Sequence, residues 1–313
     1  MAQETRGQIP PAQNGDETST LPFIWIVVLN WNRPQDTLEC VASLRELDYP
    51  AVRILVVDNG STDESVSLFQ EIPNIDLLVN KENLGFAAGN NRGIQHALER
   101  GADFVLLLNN DTTVSPPLLS RMVEAAQEDP KIGIVGPMIY YADRPDQVWF
   151  AGMRFRHGLY VVRRGLHLDP PHDRVEEVDF VSGCGMLVPR QTWERVGLFD
   201  PRFFMYYEDL DLCVRAKEAG YRIVCATQAH MWHALSASTG GPDSPLKQYY
   251  QVKSTLLFSQ KHTRGLQRVA TLAIRLGHAG FVALRQVVRG QLRWDAIRFY
   301  LRGIAEAIMG KSG

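Results

Sequence analysis

Phe104-Val105-Leu106-Leu107-Leu108 runs without a spacer into Asn109-Asn110-Asp111. An apolar run this short and partly β-branched reads as a strand covered on both faces of a sheet. Ligands of open α/β sheets gather just beyond the carboxyl ends of such strands, so a carboxylate placed there is a candidate for chemistry. A second acidic cluster, Glu208-Asp209 with Asp211, follows the aromatic run Phe203-Phe204-Met205-Tyr206-Tyr207. One acidic site can hold a metal and the other can take a proton, a division that points to an enzyme.

Upstream, Ile24–Leu29 is an apolar strand ended by Asn30-Trp31-Asn32, and Arg33-Pro34 opens a helix that runs to about Leu47. Proline suits the first helical turn, where its missing N–H is not needed. Arg53–Val57 is a second strand, ending in Asp58-Asn59-Gly60-Ser61-Thr62-Asp63, with Ser61 or Thr62 as the cap of a helix near Glu64–Gln70. Asp76–Val79 is a third strand, Asn80–Gly85 a loop, Phe86 to Arg100 a helix, and Ala102–Leu108 the fourth strand. Strands and helices alternating at this spacing predict parallel βαβ units with right-handed crossovers. Three loops rich in Asn and Asp, 30–32, 58–63 and 109–111, then share one sheet edge. Turn chemistry explains any one of them, but three on one edge point to a site.

From Lys131 to Val188 the pattern changes to short strands, Ile132–Val135, Val148–Ala151, Tyr160–Val162 and Val178–Val188, read as a mixed extension of the sheet. Gln191–Val196 and Leu210–Ala219 are helical, with a strand at Tyr221–Ala226. From about Pro245 three basic amphipathic helices follow, with breaks near Thr263–Gly265 and Arg289–Gln291. The expected class is α/β, a mixed central sheet flanked by helices. Residues 1–21 are polar and read as a disordered leader, 22–243 as the main domain, and 244–313 as a helical appendage.

The 313 residues suffice for a large core, and 45% hydrophobic with 22% charged residues is ordinary for a soluble globular chain. A formal charge of −2 hides an asymmetry: residues 247–313 carry 12 Lys/Arg against Asp295 and Glu306, net +10, and the remainder is net −12. A basic tail on an acidic body suits an anionic membrane surface, and equally a solvated helical face or a partner-docking bundle; no nucleic-acid partner is expected. Cys40, Cys184, Cys213 and Cys225 lack any metal or disulfide spacing, which fits a reduced cytoplasmic setting. No uncharged stretch reaches the roughly 18 apolar residues of a spanning helix.

Asp58, at a strand tip, can accept a hydrogen bond from a ribose hydroxyl or a base N–H, or it can close an Asx turn. Asn83-Leu84-Gly85-Phe86-Ala87-Ala88-Gly89-Asn90-Asn91-Arg92-Gly93 opens a helix with small residues. Its N-terminus can meet a phosphate, with Arg92 reaching a diphosphate, while Gly89 and Gly93 read as packing positions. Asp111 suits Mg²⁺ or Mn²⁺, which take oxygen donors beside substrate phosphates. One carboxylate makes no protein-only cage, so the metal is expected to bind firmly only with nucleotide. His233 can add a nitrogen to that site or stay structural. Glu208 and Asp209 open a helix, where the dipole favours carboxylates, and either can serve as a general base. Spacing does not choose between them. The glycines around Cys184 read as close backbone approach rather than the setting of a nucleophile.

Six motifs in order resemble glycosyltransferase family 2, the inverting nucleotide-sugar transferases of GT-A (Rossmann-like) fold, and within it the rhamnosyltransferase-like branch. They are Val27-Val28-Leu29-Asn30-Trp31-Asn32, Val57 to Asp63, Asn83-Leu84-Gly85-Phe86, Leu108-Asn109-Asn110-Asp111, Tyr207-Glu208-Asp209-Leu210-Asp211, and His233 with Ser236-Ala237-Ser238. The resemblance covers roughly Ile24 to Thr239. It implies a dTDP- or UDP-linked sugar donor bound by Asn30, Asn32, Asp58, Asn83, Gly85, Arg92, Asn109, Asn110 and Asp111, and a Mn²⁺ or Mg²⁺ ion held by Asp111 and His233. It further implies Asp209, beside Glu208, as the base. The acceptor, a glycan or a lipid-linked sugar in cell-surface polysaccharide assembly, is expected near Gly183, Cys184, Gly185 and Trp193. Such an enzyme would work in the cytoplasm, peripherally at the inner face of the membrane. Asn109 stands where the strict DxD pattern has its first Asp, which removes a charge and is expected to weaken metal binding. A non-catalytic sugar-nucleotide or glycan binder of the same fold would be marked by loss of Asp111 or Asp209, and neither is lost. A nucleotidyltransferase would carry a Gly-rich basic loop where Asn30–Pro34 stands.

Overall fold

The computed structural model describes residues 21–155, 175–235, 244–288 and 294–309, so the expected helix break near Arg289–Gln291 lies outside the described residues. The leader up to residue 20, the Tyr160–Val162 strand and Ser236–Ser238 lie outside the described residues. In chain order the elements are β1 (Ile24–Asn30), α1 (Pro34–Leu44), β2 (Val52–Asp58), α2 (Ser65–Gln70), β3 (Asp76–Val79), α3 (Gly85–Glu99) and β4 (Phe104–Asn109). β5 (Thr112–Val114), α4 (Leu118–Gln127), β6 (Ile132–Tyr141), β7 (Val148–Phe150), β8 (Val175–Val178), β9 (Gly185–Pro189) and α5 (Arg190–Val196) follow. The described chain closes with α6 (Glu208–Glu218), β10 (Arg222–His233), α7 (Pro245–His262), α8 (Leu266–Val288) and α9 (Trp294–Ile308).

The main sheet path is β3-β2-β1-β4-β9-β6-β10-β5, with β7 paired to β6 and β8 to β10. The first four strands on that path run parallel, and β9 enters antiparallel between β4 and β6. Register levels the strand ends: Asn30 lies opposite Asp58, and Leu29 opposite Asn109. The three Asn/Asp loops therefore do share one edge, as the alternation of elements predicts. Because β9 is antiparallel to β4, its first residue, Gly185, pairs with Leu108. The Ser182–Cys184 loop is thereby brought to the same edge.

Side chains alternate across β1 and divide the core into two layers. Ile24, Ile26 and Val28 pack with Cys40, Leu44, Leu118 and Met122 of α1 and α4. Trp25 and Val27 pack with Ala87 and Ile94 of α3 and Leu212 and Ala216 of α6. A Cβ on Gly93 would lie 2.4 Å from Val27 Cγ1 and one on Gly89 2.8 Å from Leu29 Cδ1, so these glycines set how closely α3 approaches the sheet.

Two expectations of local structure change. The apolar run Val178–Val188 is two strands, β8 on β10 and β9 on β4, because the chain changes sheet neighbours through the Gly183 turn. β10 continues well past Ala226 to His233, with a register shift between Ala226 and His230, and pairs with β5 at its end.

The expected boundary at 243/244 is not a packing boundary. Val252, Leu256, Leu257 and Phe258 of α7 and Tyr300, Ile304 and Ala307 of α9 share a core with Phe203, Leu210 and Val214. Lys253, only 2% exposed, is neutralised by Glu306 at 3.0 Å, and Tyr249 donates a short hydrogen bond to the same carboxylate. Among the described residues no helix is long and apolar enough to cross a membrane. The Tyr249 hydroxyl, with Arg302 and Lys253, holds the Glu306 carboxyl down at about 2 against an ordinary 4.5. Its stabilisation is therefore complete above pH 4.5 and is lost as pH falls towards 2. Glu306→Gln, which leaves Lys253 buried and unpaired, is expected to cost about 3 kcal/mol at pH 7. Urea unfolding of both proteins should show that gap narrowing between pH 4.5 and 2; a pH-independent gap would mean the pair is not the cause.

Candidate active site

The level strand ends are cross-linked by buried polar side chains. Asn30, fully buried, donates through Nδ2 to Asp58 Oδ2 at 2.9 Å and to Ser61 Oγ at 3.1 Å, while its Oδ1 accepts from Thr37 Oγ1 at 2.8 Å and Asn110 Nδ2 at 3.3 Å. Asp58, also fully buried, accepts from the Ser61 hydroxyl at 2.6 Å and the Ser61 N–H at 3.0 Å. Both residues expected to touch a nucleoside are thus engaged inside the protein: Asp58 closes the Asx turn, and Asn30 ties that turn to the Asn110 loop. Asn32, at φ 51°, accepts from the Thr62 N–H at 2.8 Å, and the adjacent Trp31 is exposed at the edge. Asn32, Asn109, Asn110 and Asp111 are each partly open to solvent.

The Asn83–Phe86 motif is a joint rather than a phosphate cradle. Asn59 donates to Asn83 Oδ1 at 3.0 Å and to the Gly85 carbonyl at 3.1 Å, and its own Oδ1 accepts from the Leu84 N–H. The Gly85 N–H is taken by Asn83 Oδ1 and the Phe86 N–H by the Phe204 carbonyl at 2.6 Å. The first donors of α3 are therefore satisfied by protein. Gly85 has φ +80°, and a Cβ there would lie 2.6 Å from the Phe204 carbonyl oxygen. Arg92 lies about 10 Å along the axis from that terminus. It is exposed, and Ala87, Asn90, Ile94 and Ala97, which α3 buries, are on the other side of the helix.

Asp111 and His233 are brought together from residues far apart in the chain. β5 folds back on β10, the Ala234 N–H donates to the Asp111 carbonyl at 2.9 Å, and His233 Nε2 lies 3.0 Å from Asp111 Oδ1. Trp149 presses edge-on against the imidazole, with ring centroids 5.0 Å apart, and His233 Nδ1 is buried without a hydrogen-bond partner. One carboxylate oxygen and one imidazole nitrogen converge, a donor pair that Mn²⁺ and Mg²⁺ accept when substrate oxygens complete the shell. Among the described residues no cluster of three or more such ligands forms.

Glu208 and Asp209 open α6 behind two consecutive residues in the left-handed region, Tyr206 at φ 68° and Tyr207 at φ 70°. That conformation costs bulky residues on the order of 1–3 kcal/mol each and clusters at functional sites. The loop is pinned by Phe204 stacked on Tyr250, and by Ser254 Oγ donating to the Met205 carbonyl at 2.7 Å. Asp209 accepts from the Gly183 N–H at 3.0 Å and the Leu210 N–H at 2.8 Å. Burial raises its pKa, with those N–H groups pulling it back. Burial and the Asp209 charge push Glu208 well above the ordinary range, and its Oε2 is buried without a partner. The pair is thereby split: Glu208 favours its protonated form, and Asp209 is the carboxylate stabilised by donors.

Gly183 and Cys184 stand behind this pair. Gly183 supplies the N–H to Asp209, and the Cys184 carbonyl accepts from the Asn109 N–H at 3.0 Å. Burial pushes the Cys184 thiol to about 12, which leaves no thiolate. Gly185 is packed so tightly that a Cβ would lie 2.5 Å from Met231 Sδ, and Trp193 is buried against Phe199. The expectation that Gly185 and Trp193 line an acceptor pocket therefore gives way to packing roles. A cavity of about 380 Å³ opens instead on the other side of Asp209, lined by Phe155, Phe180, Tyr207, Glu208, Thr255 and Arg275 among others. Thr37, Asn59 and Arg275 carry no signal of their own in the sequence. Neither Ser61 nor Thr62 caps α2, which starts after Glu64; Ser61 instead bonds Asn30 and Asp58, and nothing in the spacing of Arg275 marks it. Gly85→Ala should cost about 1–3 kcal/mol in urea unfolding and displace the Phe204–Asp209 loop, with loss of activity; wild-type stability would show that the joint is loose.

A family model described as "Glycosyltransferase like family 2" matches residues 22–253. The chain is 31% identical over 305 residues to an N-acetylglucosaminyl-diphospho-decaprenol L-rhamnosyltransferase of Mycobacterium tuberculosis, covering 88% of this chain and 95% of that one. It is 23% identical over 271 residues to the dTDP-rhamnosyl transferase RfbF of Shigella flexneri, covering 84% and 89%. The fold matches that of the mannosyltransferase PcManGT from Pyrobaculum calidifontis, solved with GDP-Man and Mn²⁺, at a TM-score of 0.58 and 16% identity over 94% of this chain and 89% of that one. With a mixed sheet whose parallel strands end level at Asn30, Asp58 and Asn109, the chain belongs to the glycosyltransferase family 2 group of rhamnosyltransferase-like enzymes.

Proposed function

We propose that this glycosyltransferase moves a deoxyhexose of the rhamnose type from a dTDP- or UDP-linked donor to a hydroxyl of a lipid-linked sugar, with Asp209 as the single base and inversion at the anomeric carbon. The observation that carries this reading is the placement of two chemically distinct acidic sites around the Gly183–Cys184 turn. Asp111 meets His233 next to β4, and Asp209 is held by the Gly183 N–H. The relatives that transfer rhamnose, one named for a diphospho-decaprenol acceptor and one for a dTDP donor, support the choice of substrates.

The acceptor hydroxyl is deprotonated at a carboxylate Oδ of Asp209 as its oxygen attacks the anomeric carbon in line. Asp209 is suited to this task because burial raises its proton affinity while two N–H donors keep the charged form accessible. Glu208, protonated beside it, keeps a second negative charge out of the site. Asp111 and His233 would hold a divalent cation, which when bound supplies positive charge for the departing diphosphate. Asn109 and Asn110 supply neutral hydrogen-bonding groups at that end of the site.

Asp209→Asn is expected to abolish transfer while leaving nucleotide binding unchanged; transfer near the wild-type rate would remove Asp209 from the role. Because the base must be ionised and its pKa is raised, the wild-type rate should fall on the acid side at a pH above the ordinary 3.8 of an aspartate. Calorimetric titration with UDP, dTDP and GDP, each with Mn²⁺ and again with EDTA, should give tight, metal-dependent binding of one nucleotide. No binding of any of them would favour a non-catalytic glycan-binding role.

The reading also places the enzyme at the cytoplasmic face of a membrane. Leu266, Val269 and Ile274 of α8 and Trp294 and Ile308 of α9 are largely exposed, on helices flanked by Arg and Lys. Apolar faces edged with basic residues suit an anionic interface. Flotation with phosphatidylglycerol-containing liposomes should be lost in Val269→Glu/Ile274→Glu/Trp294→Glu; undiminished flotation would sink the membrane role.

A further inference from the structure

The C-terminal helices do more than flank the sheet, because they supply a wall of the cavity at Asp209. α7 contributes Gln251 and Thr255, and α8 contributes Arg275. At about 380 Å³ the cavity is at the small end of ligand sites, which span roughly 300–1,000 Å³. Met153, Phe155, Phe180 and Leu210 make it apolar, and Tyr206 and Tyr207 add ring faces. Aromatic walls of this kind pack against the flat apolar faces of a sugar or an acyl chain.

Arg275 is built into this wall. Its Nη2 donates to Thr255 Oγ1 at 2.9 Å and reaches the Tyr207 hydroxyl at 3.5 Å, and its carbonyl accepts from the Tyr300 hydroxyl at 3.1 Å. Three helices and the strained Tyr207 thus fix where the guanidinium stands. Among the described residues no carboxylate pairs with it, although Glu208 and Asp209 line the same cavity. A partly buried guanidinium facing apolar walls is costly unless an anion meets it, and its planar fork matches phosphate oxygens.

The donor's diphosphate belongs at the other site, beside Asp111 and His233. An anion in the Asp209 cavity must therefore arrive with the molecule whose hydroxyl is deprotonated. We propose that this cavity is the acceptor site and that Arg275 receives the phosphate of a sugar-phosphate or sugar-diphosphate carried on an apolar chain. Arg275 is then the residue that selects an anionic, carrier-linked acceptor over a neutral glycoside. This rests on the transferase reading given above and adds to it the group that recognises the acceptor's charge.

The test uses the full chain in EDTA and three ligands: an N-acetylglucosaminyl diphosphate carrying a short alkyl chain, the neutral alkyl N-acetylglucosaminide, and inorganic diphosphate. By titration calorimetry the wild type should bind the alkyl diphosphate about tenfold or more tightly than the neutral glycoside, the scale of one charge-assisted pair. Arg275→Ala should erase that preference by weakening the charged ligand alone, and Arg275→Lys should keep part of it. An undiminished preference in Arg275→Ala would overturn the assignment. So would equal weakening of both glycosides, which marks a structural role, or inorganic diphosphate binding as tightly as the full acceptor, which marks a free-anion site. Transfer is assayed separately: a preference that depends on Arg275 without any transfer of sugar would leave the cavity assignment standing and sink the transferase reading instead.

Discussion

The hydrogen bond from the Phe86 N–H to the Phe204 carbonyl, at 2.6 Å, is the contact on which the site depends. It joins the helix that follows β3 to the loop that delivers Glu208 and Asp209, and Gly85 leaves the space for it. The connections then run in a ring. Asn59 reaches back from Gly85 to the end of β2, Asn30 links Asp58 to Asn110, the Asn109 N–H is held by Cys184, and Gly183 holds Asp209. Nearly every link uses a backbone group or a short amide side chain. Such groups cannot stretch, so a shift at one strand end is felt at the others. That rigidity suits a reaction in which an in-line attack tolerates little displacement.

Much of this was readable as a sequence, and the reason is local. Strand ends followed at once by Asn and Asp fix both the parallel order and the edge on which the loops meet, so Asn30, Asp58 and Asp111 could be placed together before any coordinates. The pairing of Asp111 with His233 needed more, because it depends on β10 running well past Ala226 to meet β5. What the motifs did not reveal is which side chains face the ligand. Asp58 and Asn30 occur where a nucleoside could touch them, yet burial and mutual hydrogen bonding make them the scaffold of the edge. Arg92 stands exposed about two turns into α3, opposite the buried Ala87, Asn90, Ile94 and Ala97. Gly185 and Trp193 follow the Gly183–Cys184 turn in sequence but are packed against Met231 and Phe199, a distinction made only by tertiary packing.

The two carboxyls of α6 show how backbone strain and burial combine into chemistry. Tyr206 and Tyr207 adopt a conformation that neither would choose alone, and the contacts of Phe204 and Met205 with α3 and α7 hold them there. Strain of this kind persists only where the surroundings over-determine it. Its result is that adjacent residues meet different environments: one carboxyl oxygen of Glu208 is buried without a partner, and Asp209 turns onto the N–H groups of Gly183 and Leu210. Two titratable groups whose surroundings drive them apart is the pattern by which one loop supplies a base without accumulating charge.

The C-terminal helices complete that arrangement rather than hanging from it. Asp211, two residues beyond Asp209 and fully buried, meets His262 at 2.7 Å, Lys261 at 2.7 Å and Arg215 at 2.8 Å. Burial alone would raise its pKa, but these partners overcome that and hold it below the ordinary value. The charge is therefore retained, and it anchors α6 to the end of α7. α7 in turn pairs with α9 through Lys253 and Glu306, and α9 holds α8 through Tyr300. Two ion-pair clusters, both carried by α7, and the hydrogen bond from the Tyr300 hydroxyl to the Arg275 carbonyl thus tie α6 to α8. A family model that ends at residue 253 covers the catalytic edge but leaves out most of this wall.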